Sequence, residues 1–145
     1  MYRELLSRYL TDNPFAALQS PCPKEALTKA EKAVGYSFPA DLKTLLSETN
    51  GDRWLLLSAE EIVQNVLSFR NCLAQAPDDE KALWREAAAF LPIATNGCGD
   101  YYGYRVFQNV VDQGQLVLWE HESFECRYAA DDIADLIEKY YTDRI

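Results

Sequence analysis

One histidine stands in this chain of 145 residues. It is His121, flanked by Glu120 and Glu122, with Glu125 close behind. An imidazole among carboxylates has three chemical uses: a base for a nucleophile, part of a metal site, or a titratable charge. The nucleophile would be Cys98, in the turn Gly97-Cys98-Gly99-Asp100, with Asp100 or Glu120 orienting the imidazole. A thiolate needs positive surroundings, and Cys98 lies next but one to an aspartate in an acidic region, which argues against catalysis. The metal reading lacks a second histidine, and Cys22, Cys72, Cys98 and Cys126 form no Cys-x-x-Cys pair. The glycine-rich turn lacks the lysine and the following helix of a phosphate loop, and Asp100 would repel phosphate. Its plain reading is a tight turn entering a strand. A glycosidase-type carboxylate pair cannot be picked out among 23 acids, because the required separation is three-dimensional. The expectation is therefore no catalytic residue, no metal ligand and no cofactor.

What remains is recognition. Asp100, Tyr101, Tyr102, Glu120, Glu122 and Glu125 fall at strand ends and loops in the same half of the chain. Tyrosine supplies contact area and carboxylates steer a cationic partner, so these residues are the candidate protein-binding surface. The competing reading makes the tyrosines core and the acids simply solvated. Net charge is −9, from 23 acids and 14 bases. That balance argues against a nucleic-acid binder and against attraction to anionic lipid, and it leaves room for a basic protein partner. Residues 1–50 are neutral, with all the net charge in the rest. The N-terminus carries an early acid and no long apolar core, and no stretch approaches the ~20 apolar residues of a membrane helix. A cytoplasmic protein with free thiols is expected.

Those residues need a frame. Hydrophobic residues make up 48% of the chain, enough for a packed core. Apolar spacing predicts helices over about Tyr2 to Leu10 and Lys24 to Val34, the second ended by Gly35. Pro39 opens a third, with Leu42, Leu45, Leu46 and Thr49 inward. Trp54 to Leu57 has strand length, and Ser58 with Glu61 fits a capping box for the next helix. A fifth helix is expected over about Glu80 to Phe90, with Leu83, Trp84, Ala87 and Leu91 inward and Pro92 closing it. The period then changes to two. Tyr101 to Val111 reads as one strand, Asp112-Gln113-Gly114 as its hairpin turn, Leu116 to Glu120 as the return strand, and Cys126 to Tyr128 as a third. An amphipathic helix with Ile133, Leu136, Ile137, Tyr140 and Tyr141 on one face closes the chain. The fold class is α+β, an antiparallel sheet with the helices segregated on one side. The expected unit is a single domain over 1–145, with 1–21 a helical extension and 22–145 the core.

In this order the pieces resemble a known family. Ala30 to Pro39 carries a glutamate, a glycine and a proline opening a helix; Leu42 to Gly51 is a leucine-rich helix ending in Asn-Gly. Leu91-Pro92-Ile93-Ala94 precedes the Gly97-Cys98-Gly99-Asp100 turn, and Gly114 to His121 is a strand ending in a histidine. Together with the C-terminal helix these features resemble the SUKH superfamily, which includes a fungal cell-wall-synthesis regulator and many bacterial immunity proteins. The resemblance spans about Cys22 to Tyr141. It implies an α+β fold, no shared catalytic residues, and a protein partner. For a short chain of this type the implied partner is a cognate toxin domain, basic and nuclease-like, neutralised by tight binding. A non-catalytic intracellular scaffold or regulatory module is the alternative.

Overall fold

The computed structural model describes residues 1–145. The elements are α1 (Tyr2–Leu10), α2 (Lys24–Val34), α3 (Ala40–Glu48), α4 (Ala59–Gln75), α5 (Lys81–Ala88), β1 (Phe90–Thr95), β2 (Tyr101–Phe107), β3 (Val110–Val111), β4 (Leu116–Trp119), β5 (Cys126–Ala130) and α6 (Ile133–Tyr141). All strand pairs are antiparallel, in the order β1-β2-β4-β5, with β3 also on β2. The α+β class expected from the sequence is the observed one.

Local chemistry sets the helix ends. Gly35 takes φ 92° at the end of α2 and donates its N–H to Glu31 O. The Glu31 carboxylate turns back to accept the Phe38 N–H at 2.7 Å, which fixes the corner between α2 and α3. Ser58 and Glu61 form the capping box reciprocally. Asp132 accepts from the Asp135 N–H at 2.8 Å and starts α6.

The apolar faces meet in two places. The main core joins α1, α2, α3, the first half of α4 and α6 to one sheet face, through Leu6, Leu42, Leu46, Ile62, Tyr104, Leu116 and Leu136 among others. A smaller cluster on the other face holds Phe69, Ala87, Phe90, Val117 and Trp119. Neighbours along β4 alternate between the two, Leu116 and Leu118 facing the main core, Val117 and Trp119 the small one. Helices therefore cover both sheet faces, not one. The reason lies in α4: it is long enough for Ile62 and Val66 to serve the main core while Phe69 reaches the second cluster.

Four local expectations are corrected. The α5 helix stops at Ala88, and Phe90 opens β1, so Pro92 lies inside a strand. Leu83 is exposed on α5. The Trp54 to Leu57 run forms only a single bridge, Leu56 to Ala94. The chain reverses at Gln108 and Asn109, both at positive φ, instead of at Asp112–Gly114. Val106 N–H donates to Ala89 O on the β1 side, and Arg105 O accepts from Asp112 N–H on the other. Hence β3 and β4 are two pieces of one return strand along the same edge of β2, and Asp112–Gly114 is an excursion between them.

One buried polar group organises the helical half. Asp52 is fully buried. Its Oδ1 accepts the N–H groups of Trp54, Leu55 and Leu56 at 2.9, 2.9 and 2.8 Å, and Oδ2 accepts the Tyr141 hydroxyl at 3.2 Å. Burial lifts its carboxyl above the ordinary aspartate range, against the pull of those bonds. Replacing Asp52 by Ala leaves buried N–H donors unpaired, so we expect Asp52→Ala to lose about 3 kcal/mol in urea unfolding. Tyr141→Phe removes one partner only and is expected to lose about 1 kcal/mol. Equal losses in the two variants would show that the carboxylate is not the organising group.

Candidate functional site

The candidate surface is built where β1 turns into β2 and β4 turns into β5. The β2–β4 register sets Tyr101 opposite Trp119, so Asp100 and His121 emerge side by side. Each loop is first ordered by itself. Asn96 Oδ1 accepts the Cys98 N–H at 2.9 Å, and Thr95 Oγ1 accepts the Gly97 N–H at 3.1 Å and donates to Asp100 O at 3.0 Å. Gly97 and Gly99 take φ 79° and 96°. In the second loop Phe124 N–H donates to Glu120 O at 2.8 Å and Glu120 N–H to Glu125 O at 3.0 Å. The Phe124 ring then inserts between Trp84 and Trp119, with centroids 4.8 and 5.2 Å away.

Asp100 locks the loops together. Its Oδ1 accepts the His121 backbone N–H at 3.0 Å and meets the His121 ring Nδ1 at 2.7 Å. Its Oδ2 accepts from the Asn96 amide at 3.0 Å. The imidazole lies against Gly99, where any Cβ would come within 3.1 Å of the ring. Partial burial pushes the Asp100 carboxyl up, but the His121 N–H, the ring and the Asn96 amide outweigh it, leaving it below the usual aspartate range. Cys98 is exposed, and its thiol makes no hydrogen bond to the imidazole, whose Nδ1 is turned to Asp100.

The sequence-predicted residues separate into three kinds. Asp100 and Glu120 are occupied inside the clasp, Glu120 by Arg127 at 2.7 Å and by the Ser123 hydroxyl at 3.1 Å. Glu122 and Glu125 are exposed, and Glu122 comes no closer to the imidazole than 3.9 Å, at His121 Nε2. The tyrosines turn inward. Tyr102 is 3% exposed, with its ring 6.4 Å from that of Tyr140, so it is a core residue and offers almost no contact area. Tyr101 is half-buried, edge-on to Phe69 at 5.7 Å. Strand alternation explains the correction: Tyr102 shares the inward face with Tyr104 and Val106.

Sequence reasoning missed one contributor. Asp78, Asp79 and Glu80 are exposed just before α5. The Trp84–Phe124 contact brings that helix start to the Glu122–Glu125 loop, and Glu80 lies about 6 Å along the helix axis from Trp84. The signal was present as a run of three acids, but only the aromatic contact shows which loop it joins.

The structure is thus an α+β frame that carries exposed acidic residues over ordered loops. The chain belongs to the SMI1 / KNR4 family (SUKH-1), which it matches over residues 21–139. No curated protein matches it. Domains of this family are generally non-catalytic and engage other proteins. No helix is long and apolar enough to cross a membrane.

The clasp makes a pH prediction. A carboxylate held below its unfolded value contributes stability that is present above the unfolded pKa and is lost as pH falls through the folded pKa. Asp100 should therefore give the wild type a steeper stability loss than Asp100→Asn between about pH 5 and pH 2. Parallel curves in urea unfolding across that range would overturn the assignment.

Proposed function

We propose that this chain is an immunity protein, which binds a cognate bacterial toxin domain stoichiometrically and blocks it. Membership of the SUKH-1 family over residues 21–139 is the observation that carries this reading. The charge supports it. Glu120 is paired with Arg127 and Asp100 is held by hydrogen bonds from His121 and Asn96, while Glu122, Glu125 and the Asp78-Asp79-Glu80 run stay exposed to meet cations. A toxin that acts on nucleic acid presents a basic active-site surface, and an acidic rim would be drawn to it and occupy it. The contacts would come from Glu122 and Glu125 at the centre, with Asp100, Tyr101 and Glu120 holding the loops in shape. The site of action would be the cytoplasm, where such a toxin meets its substrate.

The decisive experiment is a rescue. The toxin-like product of the neighbouring gene is expressed in a test cell with and without this chain. Restored growth together with co-purification of the pair is the expected result. Continued killing by an active toxin beside the folded chain would favour the scaffold reading. For the contact surface, Glu122→Lys with Glu125→Lys should slow association about tenfold or more at low salt. Unchanged association kinetics would place the contact on another face.

A further inference from the structure

At the far end of β2 from the acidic rim lies a pocket of opposite character. It is an open cavity of about 310 Å³ between the ends of α2, α4 and α5 and the β2–β3 turn. Its polar lining is Arg70, Arg85, Tyr36, Gln108 and Asn109, and Leu73 and Val106 contribute apolar surface. None of the chain's 23 acids lines it.

The two arginines are under-used. Arg70 donates one Nη2 hydrogen bond, at 2.6 Å, to Val34 O at the end of α2, and makes no ion pair. Arg85 sits in the last turn of α5, where a cation suits the helix end, and makes no ion pair or side-chain hydrogen bond. Capping explains one donor of Arg70, yet each guanidinium carries five. The nearby Arg105, by contrast, is satisfied by Glu86 at 2.8 Å. Tyr36 adds a hydroxyl at the pocket: its ring is buried, while the oxygen has no hydrogen-bond partner within the chain and stays open to solvent. Gln108 and Asn109 add side-chain amides on the turn, where both residues hold positive φ. Forked donors, a hydroxyl and amides around an apolar floor form the donor set that planar or tetrahedral oxyanions require.

We propose that this pocket binds a small organic oxyanion, an apolar body carrying a phosphate or carboxylate group. Arg85 and Arg70 would supply the charge-assisted bonds, the Tyr36 hydroxyl a third donor, and Leu73 and Val106 the surface for the apolar body. The volume suits a ligand of one ring with its anionic group, at the lower end of small-molecule sites. The pocket is roughly 20 Å along β2 from the acidic rim, so a bound ligand leaves that rim free.

The test is a titration of the full chain with phenyl phosphate and, separately, with benzoate, at fixed ionic strength. The readout is the NMR signals of the Arg70 and Arg85 Nε–H groups and the Gln108 and Asn109 amides. Expected are saturating shifts with at least one probe, in the range of about 1 mM, and the tighter probe identifies phosphate or carboxylate as the preferred group. Arg85→Gln, at an exposed side chain with no internal bond, should weaken binding about tenfold, while Arg8→Gln on α1 should leave it unchanged. Tyr36→Phe, which keeps the buried ring, should weaken it about fivefold. Shifts that stay linear to about 20 mM for both probes, or identical curves for wild type and Arg85→Gln, would overturn the proposal.

Discussion

The buried Asp52 carboxylate is the constraint on which the helical half depends. The chain must pass from α3 to α4 through the core, and Leu55, Leu56 and Leu57 on that passage are all buried. Backbone N–H groups in such a place need acceptors, because an unpaired one costs about 1–3 kcal/mol. Asp52 answers those of Leu55 and Leu56, and that of Trp54 beside them, with one oxygen and ties the last helix through Tyr141 with the other, while Leu57 N–H donates to Ile93 O. Its own carbonyl accepts the Ala17 N–H at 2.8 Å, so the segment after α1 is held by the same residue. Gly51 before it has φ 83°, and a Cβ there would stand 2.9 Å from Ser58 N. The Asn-Gly-Asp sequence is thus a structural knot, where a polar core group sets the paths of α1, α4 and α6.

The second sheet face explains how a small domain can present ordered acidic loops. Phe69, Trp119, Phe124 and Trp84 pack in a chain of tilted and edge-on contacts 4.8–5.2 Å apart. Phe69 belongs to α4, Phe124 to the loop, Trp84 to α5 and Trp119 to β4, so one aromatic series ties four segments together. The indole N–H of Trp119 is left without a partner inside this cluster. The loop gains position from the aromatic contacts and closure from Asp100, and its exposed glutamates ride on a fixed backbone. That is the arrangement electrostatic steering needs, since charge on an ordered loop loses less entropy when a partner docks.

The charge pattern follows from pairing as much as from composition. Among the acids near the candidate surface, Asp100 is engaged by hydrogen bonds from His121 and Glu120 by its ion pair with Arg127, and the rim is made by those left over. The same logic at the other end of β2 leaves Arg70 and Arg85 without acids. A chain of net charge −9 thus carries one place rich in free carboxylates and one rich in free guanidinium donors.

Much was legible in the sequence because much of it is local. Gly35, the Ser58–Glu61 box, and the stripes of α1, α2 and α6 act over three or four residues, and the elements formed where those signals lie. The ordered set of motifs also pointed to the SUKH family. The turn at Gln108–Asn109 was not legible, because neither residue is the glycine that usually marks positive φ, whereas Gly114 drew the turn to Asp112–Gly114, starting four residues too late. Which tyrosine turns inward, which carboxylate is spent and which arginine is free were settled only when the strands found their register. Those properties belong to pairs such as Asp100–His121, Glu120–Arg127 and Trp84–Phe124, formed between different elements of the chain. The sequence by itself determined where the helices lie, save the end of α5, the α+β class and the total charge. The tertiary structure alone decided where that charge is exposed, because exposure depends on partners that no local pattern names.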